Sequence, residues 1–145
     1  MTVLGVDYGR RRIGLAITDA LEMIASPLKT IPNDSRCISE LREIVGGKAV
    51  DTVVVGLPLR MDGTLGPAGR EVLQFAERLR KEIPAPVETF DERLTTRQAE
   101  RAMLAHDLTR ARRAARIDQM AAQIMLQGYL DSRKSRRRIE GEARE

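Results

Sequence analysis

Val3-Leu4-Gly5-Val6-Asp7-Tyr8-Gly9-Arg10-Arg11-Arg12-Ile13-Gly14-Leu15-Ala16-Ile17-Thr18-Asp19 is the stretch whose reading decides the fold. Two short apolar runs flank a glycine-bearing basic turn, Gly9 to Arg12, which is the pattern of a β-hairpin. The first run ends on a carboxylate, Asp7. A charge at the end of a buried strand needs a partner, because an unpaired one costs several kcal/mol, roughly what a small domain has in hand. A metal ion, a nearby arginine or a set of backbone N–H groups would each serve, as would an ordinary turn that satisfies the side chain.

Working outward, Ile24 to Ile31 reads as a third strand, and Pro27 places it at a sheet edge or a bulge. Asn33, Asp34 and Ser35 offer N-caps to a helix with Ile38, Leu41, Ile44 and Val45 on one face, ending at Gly46-Gly47. Thr52 to Pro58 is a β-branched apolar run of the kind found where both faces of a strand are covered. A glycine-rich loop, Leu59 to Gly69, leads to a helix from Pro67 to Glu82 with Val72, Phe75, Ala76 and Leu79 inward. The loop's backbone N–H groups either approach an anion or simply form the turn. Val87 to Phe90 is a fifth strand, followed by Asp91 and Glu92. A third helix is expected over about Thr96 to Ala105, then a basic link from His106 to Arg113 and a last helix with Ile117, Met120, Ala121, Ile124 and Leu126 to Leu130 on its apolar face. From Arg133 the apolar pattern stops, so residues 133–145 are expected to form a disordered basic and acidic tail beyond a domain spanning 1–132.

The order of elements predicts an α/β domain with a five-stranded mixed sheet. Strands 1 to 3 form an antiparallel meander, and strands 1, 4 and 5 run parallel, with helices flanking them. Ligands of such sheets bind at the carboxyl ends of the parallel strands, where Asp7, Pro58 and the Asp91-Glu92 pair fall.

Composition narrows the chemistry. One cysteine and one histidine, Cys37 and His106, exclude a disulfide framework, a cysteine-based zinc site and any two-histidine mechanism. A metal would have to be held by carboxylates, which favour Mg²⁺ or Mn²⁺. No apolar run nears the ~20 residues of a membrane span, and Asp7 interrupts the first one, so a cytoplasmic protein without membrane association is expected. The balance is 25 Lys+Arg to 21 Asp+Glu, most of the positive charge being arginine. Arginine suits phosphate, although codon bias alone would produce the same excess.

Asp7, one of Asp91 and Glu92, and Asp118 in the last helix can be brought to one place if that helix lies over the first strand. Ala121 and Ala122 would allow the close approach. Clustered carboxylates are tolerated where divalent cations neutralise them, and two ions about 4 Å apart suit in-line phosphoryl transfer. Each residue also has a plain structural reading. Asp118 could complement a helix dipole, Asp91 could form a surface ion pair with Arg93 or Arg97, and Arg10, Arg11 and Arg12 could line a solvated turn rather than bind phosphate.

Four motifs in order resemble the YqgF family of RNase H-like nucleases, which is named for processing pre-16S rRNA and is related to the RuvC Holliday-junction resolvases. They are Gly5-Val6-Asp7-Tyr8-Gly9 with Arg12-Ile13-Gly14-Leu15-Ala16, Val55-Gly56-Leu57-Pro58-Leu59 with Met61-Asp62-Gly63-Thr64, Asp91-Glu92-Arg93-Leu94-Thr95-Thr96, and Asp118 with Ala121-Ala122 and Ile124 to Leu130. The resemblance implies an RNase H-like fold and a metal-dependent endonuclease that trims the 5′ end of pre-16S rRNA in ribosome biogenesis, acting on precursor rRNA or the pre-30S particle. It implies Asp7, Glu92 and Asp118 as catalytic metal ligands for two Mg²⁺ or Mn²⁺ ions, with Asp91 as the alternative to Glu92. Arg10, Arg11, Arg12 and Arg93 become candidates for substrate phosphate. Branched DNA as the substrate, a binding module without catalysis, and a monomer or a homodimer all stay open. An actin-like or sugar-kinase ATPase also opens with an acidic strand end, but it needs two such domains. The arginines Arg110, Arg112, Arg113 and Arg116 depart from the family pattern.

Overall fold

A computed structural model describes residues 1–22, 24–94 and 110–144, with side chains in the last stretch described at 116–134 and 141. The strands are β1 (Val3–Tyr8), β2 (Arg12–Thr18), β3 (Ala25–Pro32), β4 (Thr52–Leu57) and β5 (Val87–Asp91). They form one sheet in the order β3-β2-β1-β4-β5. β1, β2 and β3 pair antiparallel, and β1, β4 and β5 pair parallel. This is the expected mixed sheet, and the carboxyl ends of β1, β4 and β5 share one edge. β3 combines both consequences of Pro27, since it is the outer strand and the register shifts where Ala16 faces Pro27.

Because side chains alternate along a strand, the sheet has two unlike faces. Leu4, Val6, Ile13, Leu15, Val53 and Val55 point to one and pack with α1 (Cys37–Gly47) and α2 (Pro67–Glu82). Val3, Ala16, Val54 and Phe90 point to the other and pack with α3 (Arg110–Arg144) through Ala122, Met125, Leu126, Tyr129 and Leu130. Val53, Val54 and Val55 are fully buried, so β4 is covered on both sides, as its β-branched run predicts.

Several local expectations shift. α1 is capped by Arg36 without a side-chain cap bond, because Asp34 Oδ1 accepts the Arg36 N–H at 2.9 Å and forms its own turn. On α3, Ile117 is 36% exposed rather than inward, and the buried stripe begins at Met120. The described helix already includes Arg110, within the stretch read as a basic link, and its backbone stays helical through Arg144, where a disordered tail was expected. Arg, Lys, Glu and Ala are good helix formers, so the backbone can continue after the apolar stripe ends. The third helix expected over Thr96 to Ala105, with His106, lies outside the described residues.

Candidate active site

β1 turns Asp7 onto the α3 face, directly opposite Gly14 of β2 and two residues from Gly5. The carboxylate is half-buried beside two others. Burial first, then the charge and hydrogen bond of Glu92 and the charge of Asp118, push its pKa up to about 7. Asp7 therefore holds a proton far more tightly than an ordinary aspartate.

The choice between Asp91 and Glu92 has a geometric answer. Asp91 is the last residue of β5, in register with Leu57, and its side chain is taken up by Arg93. Glu92 opens the short 3-10 turn Glu92–Leu94 and folds back over β4. Its Oε1 lies 2.6 Å from the point where a Cβ on Gly56 would stand, so a side chain there would push the carboxylate out of this position. It shares a hydrogen bond with Asp7, and burial raises its own pKa.

Asp118 reaches the site from α3. Gly14 makes this possible: a Cβ there would sit 2.0 Å from the Asp118 carbonyl oxygen. Gly5 does the same for Leu126, whose Cβ lies 2.9 Å from the corresponding point. The helix backbone thus rests on the sheet through glycines of β1 and β2. Since α3 already includes Arg110, Asp118 lies beyond the first turn, and the helix dipole gives no account of it. Arg12 does: its Nε donates to Asp118 Oδ2 at 2.7 Å.

Asp7, Glu92 and Asp118 are thus brought together from three distant parts of the chain. Arg12 joins them, while Arg10 and Arg11 stay at the rim. Arg10 Nε lies 3.4 Å from Glu71 Oε2 of α2, and Arg11 is exposed. The turn that carries them is held from outside. Asn33 Nδ2 donates to the Gly9 carbonyl at 2.7 Å, and the Asn33 N–H donates to the Arg11 carbonyl at 2.9 Å. The loop after β4 is a turn in its own right: Leu59 bridges Leu65, the Arg60 and Gly63 N–H groups bond within the loop, and Asp62 takes the Thr64 N–H and hydroxyl. The Arg60, Gly63 and Thr64 N–H groups are therefore already engaged within the turn.

Sequence reasoning missed the roles of Gly14 and Gly56 and the pairing of Arg12 with Asp118. A signal existed for the glycines. Counting by twos from Asp7 gives Gly5, and the facing strands carry Gly14, Ala16 and Gly56 in the same alternation, a stripe of small residues where a helix must come close.

Chemically, three carboxylates without thiolate or imidazole suit a hard divalent cation. The proton held by Asp7 marks the place where positive charge is wanted. Among the described residues no three potential ligands close at metal spacing, and Asp118 is engaged by Arg12. Asp7 and Glu92 could hold an ion directly, and Asp118 could join on leaving Arg12.

Comparison with known proteins adds to this geometry. A family model described as RuvX: Holliday junction resolvase matches residues 1–132. A Clostridium novyi (strain NT) protein named "Putative pre-16S rRNA nuclease" is 46% identical over 134 residues, covering 91% of this chain and 99% of its own length. A protein of the same name from Geobacillus kaustophilus (strain HTA426) is 44% identical over 138 residues, covering 92% of this chain and all of its own length (100%). Among solved structures, T. thermophilus RuvC in complex with a Holliday junction substrate superposes with a TM-score of 0.60 at 17% identity, over 93% of this chain and 96% of that one. The fowlpox virus resolvase complexed with Holliday junction DNA gives 0.56 at 12% identity, over 91% and 98%. At such identities the two structures speak to the fold alone, an RNase H-like one.

Proposed function

This chain belongs to the RuvX (YqgF) family, and from that premise we propose that it is a metal-dependent endonuclease that hydrolyses phosphodiester bonds, its substrate the 5′ region of pre-16S rRNA. The observation that carries the reading is the meeting of Asp7, Glu92 and Asp118 at the carboxyl edge of the sheet, from three separate elements. The relatives' shared name, at 46% and 44% identity over nearly their whole length, supports rRNA as the substrate. The proposed setting is the cytoplasm, on precursor rRNA or the pre-30S particle; among the described residues no helix is long and apolar enough to cross a membrane.

In this mechanism Asp7, Glu92 and Asp118 would hold Mg²⁺ or Mn²⁺. Such ions supply neutralisation of phosphoryl charge and a lowered pKa for water. Asp7 would have to be ionised to take on this role, so ion binding should strengthen as pH rises. Arg12 neutralises Asp118 in the free protein. Its guanidinium and those of Arg10 and Arg11, on the turn beside the carboxylates, would hold substrate phosphates.

The test is cleavage of a precursor 16S 5′ fragment and of a four-way DNA junction side by side, with Mn²⁺ or Mg²⁺, using wild type and Asp7→Asn. Metal-dependent cleavage of the RNA, lost in the folded variant, is expected. Preferential junction cleavage would move the substrate to branched DNA, as the family description names. Tight binding without any cleavage would make the protein a binding module.

A further inference from the structure

We infer that Asp91 and Arg93 form a clasp that positions Glu92 in the site, so that Arg93 serves the chemistry through Asp91 and not as a contact to substrate phosphate. The inference rests on the proposed function in taking Glu92 as a metal ligand.

The clasp is unusually complete for two residues so close in sequence. Arg93 Nη2 donates to Asp91 Oδ2 at 2.7 Å, and Nε lies 3.1 Å from both carboxylate oxygens. The Arg93 N–H also donates to Asp91 Oδ1 at 3.0 Å. A planar fork on one carboxylate, with a backbone N–H added, fixes orientation as well as energy. It holds the Asp91 carboxyl below its usual pKa. Between the two residues stands Glu92. With Asp91 pinned to the α2 side of β5 and Arg93 looped back to it, the backbone of the turn is set, and Glu92 is left to point across Gly56 towards Asp7.

The fork has a third attachment. Arg93 Nη1 reaches the Met61 carbonyl at 3.4 Å, and the space above Gly63 faces the same guanidinium at 3.5 Å. Gly63 has φ of +87°, a conformation that favours glycine. The loop after β4 is therefore shaped around the clasp, and together they fix the end of β5 relative to β4. The Nε–Nη2 edge that would grip a phosphate is thus already closed on a carboxylate.

The two roles of Arg93 differ most in what happens to its partner. If Arg93 binds phosphate, Asp91→Asn should leave binding unchanged or tighten it, by freeing the guanidinium. If the clasp positions Glu92, losing either residue has the same result.

The experiment compares Asp91→Asn, Arg93→Ala, Arg93→Lys and the double variant Asp91→Asn with Arg93→Ala. It measures kcat and KM on the cleaved substrate, Mn²⁺ affinity by calorimetry, and melting without metal. Each single variant should lower kcat by roughly 10- to 100-fold, the usual cost of losing an outer partner of a metal ligand, with KM nearly unchanged and Mn²⁺ bound more weakly. Lysine cannot form the fork, so Arg93→Lys should not restore activity. The double variant should be no worse than the singles, as expected for residues acting as one unit. Unchanged melting in Asp91→Asn keeps the result separate from unfolding. Normal kcat and Mn²⁺ affinity in Asp91→Asn, with Arg93→Ala raising KM and flattening the salt dependence of binding, would overturn the clasp and leave the proposed nuclease intact. A wild type that neither cleaves nor binds Mn²⁺ would overturn both.

Discussion

The two faces of the sheet are built on opposite rules. The face under α1 and α2 is filled with Leu4, Val6, Ile13, Leu15, Val53 and Val55, side chains that hold the helices off at ordinary packing distance. The face under α3 carries Gly5, Gly14, Ala16 and Gly56 at the alternate positions of the same strands, and the helix backbone descends nearly onto them. Large aliphatic groups on the first face remove apolar surface from water, which is the main favourable term in folding. On the second face that gain is reduced over β1 and β2, and what takes its place is an acidic cluster with Arg12 at its edge. One face is made to be stable, the other to bring charges close.

Mutations can break this contrast. The largest effect should come from Asp7→Asn, which should lose more than the ~100-fold in kcat that removing an outer-shell partner costs, with circular dichroism unchanged. Leu41→Ala, on the α1 side, should cost about 2–5 kcal/mol in denaturant unfolding, yet leave activity per folded molecule untouched. The acidic face should show itself in pH. The folded pKa of Asp7, about 7, stands above the ordinary aspartate value of 3.8, so its contribution to stability is complete below that lower value and lost as pH rises through about 7. In metal-free melting across pH 4 to 8, wild type should weaken relative to Asp7→Asn by on the order of a few kcal/mol; parallel curves would count against the buried carboxylate. Gly14→Ala puts a methyl against the Asp118 carbonyl and should cost about 1–3 kcal/mol. Unlike Leu41→Ala, it should also lower kcat, because α3 moves with Asp118. The smallest effect is expected from Arg11→Ala, which should reduce the salt slope of nucleic-acid binding by about 1 and leave kcat alone.

Much of this could be read in the sequence, and the contrast explains which part. The hairpin, the five strands, α1 and α2 followed from alternation and from the residues that stop each element, as in the Pro67 to Glu82 helix. The packed face was legible because large apolar residues advertise burial. The close-packed face was less so, since Gly14 and Gly56 read as turn or flexibility signals until the register sets them beside Asp118 and Glu92. Asn33 was misread for a similar reason. Its composition says helix cap, while its actual partners, Gly9 and Arg11, are reached only once β3 has returned alongside β2. That Arg110 to Arg113 are already helical was hidden because arginine-rich sequence carries no apolar period, and with it that Asp118 lies beyond a first turn.

The Asn33 tie has a further consequence. Two bonds from outside the hairpin fix both sides of the arginine turn before any ligand arrives. Ordering a backbone residue takes roughly 1–2 kcal/mol of conformational entropy, and here that loss belongs to folding and not to encounter. Asn33→Ala should therefore leave the bound complex much as it is and slow its formation, because the turn would have to find its shape while the strand is already passing.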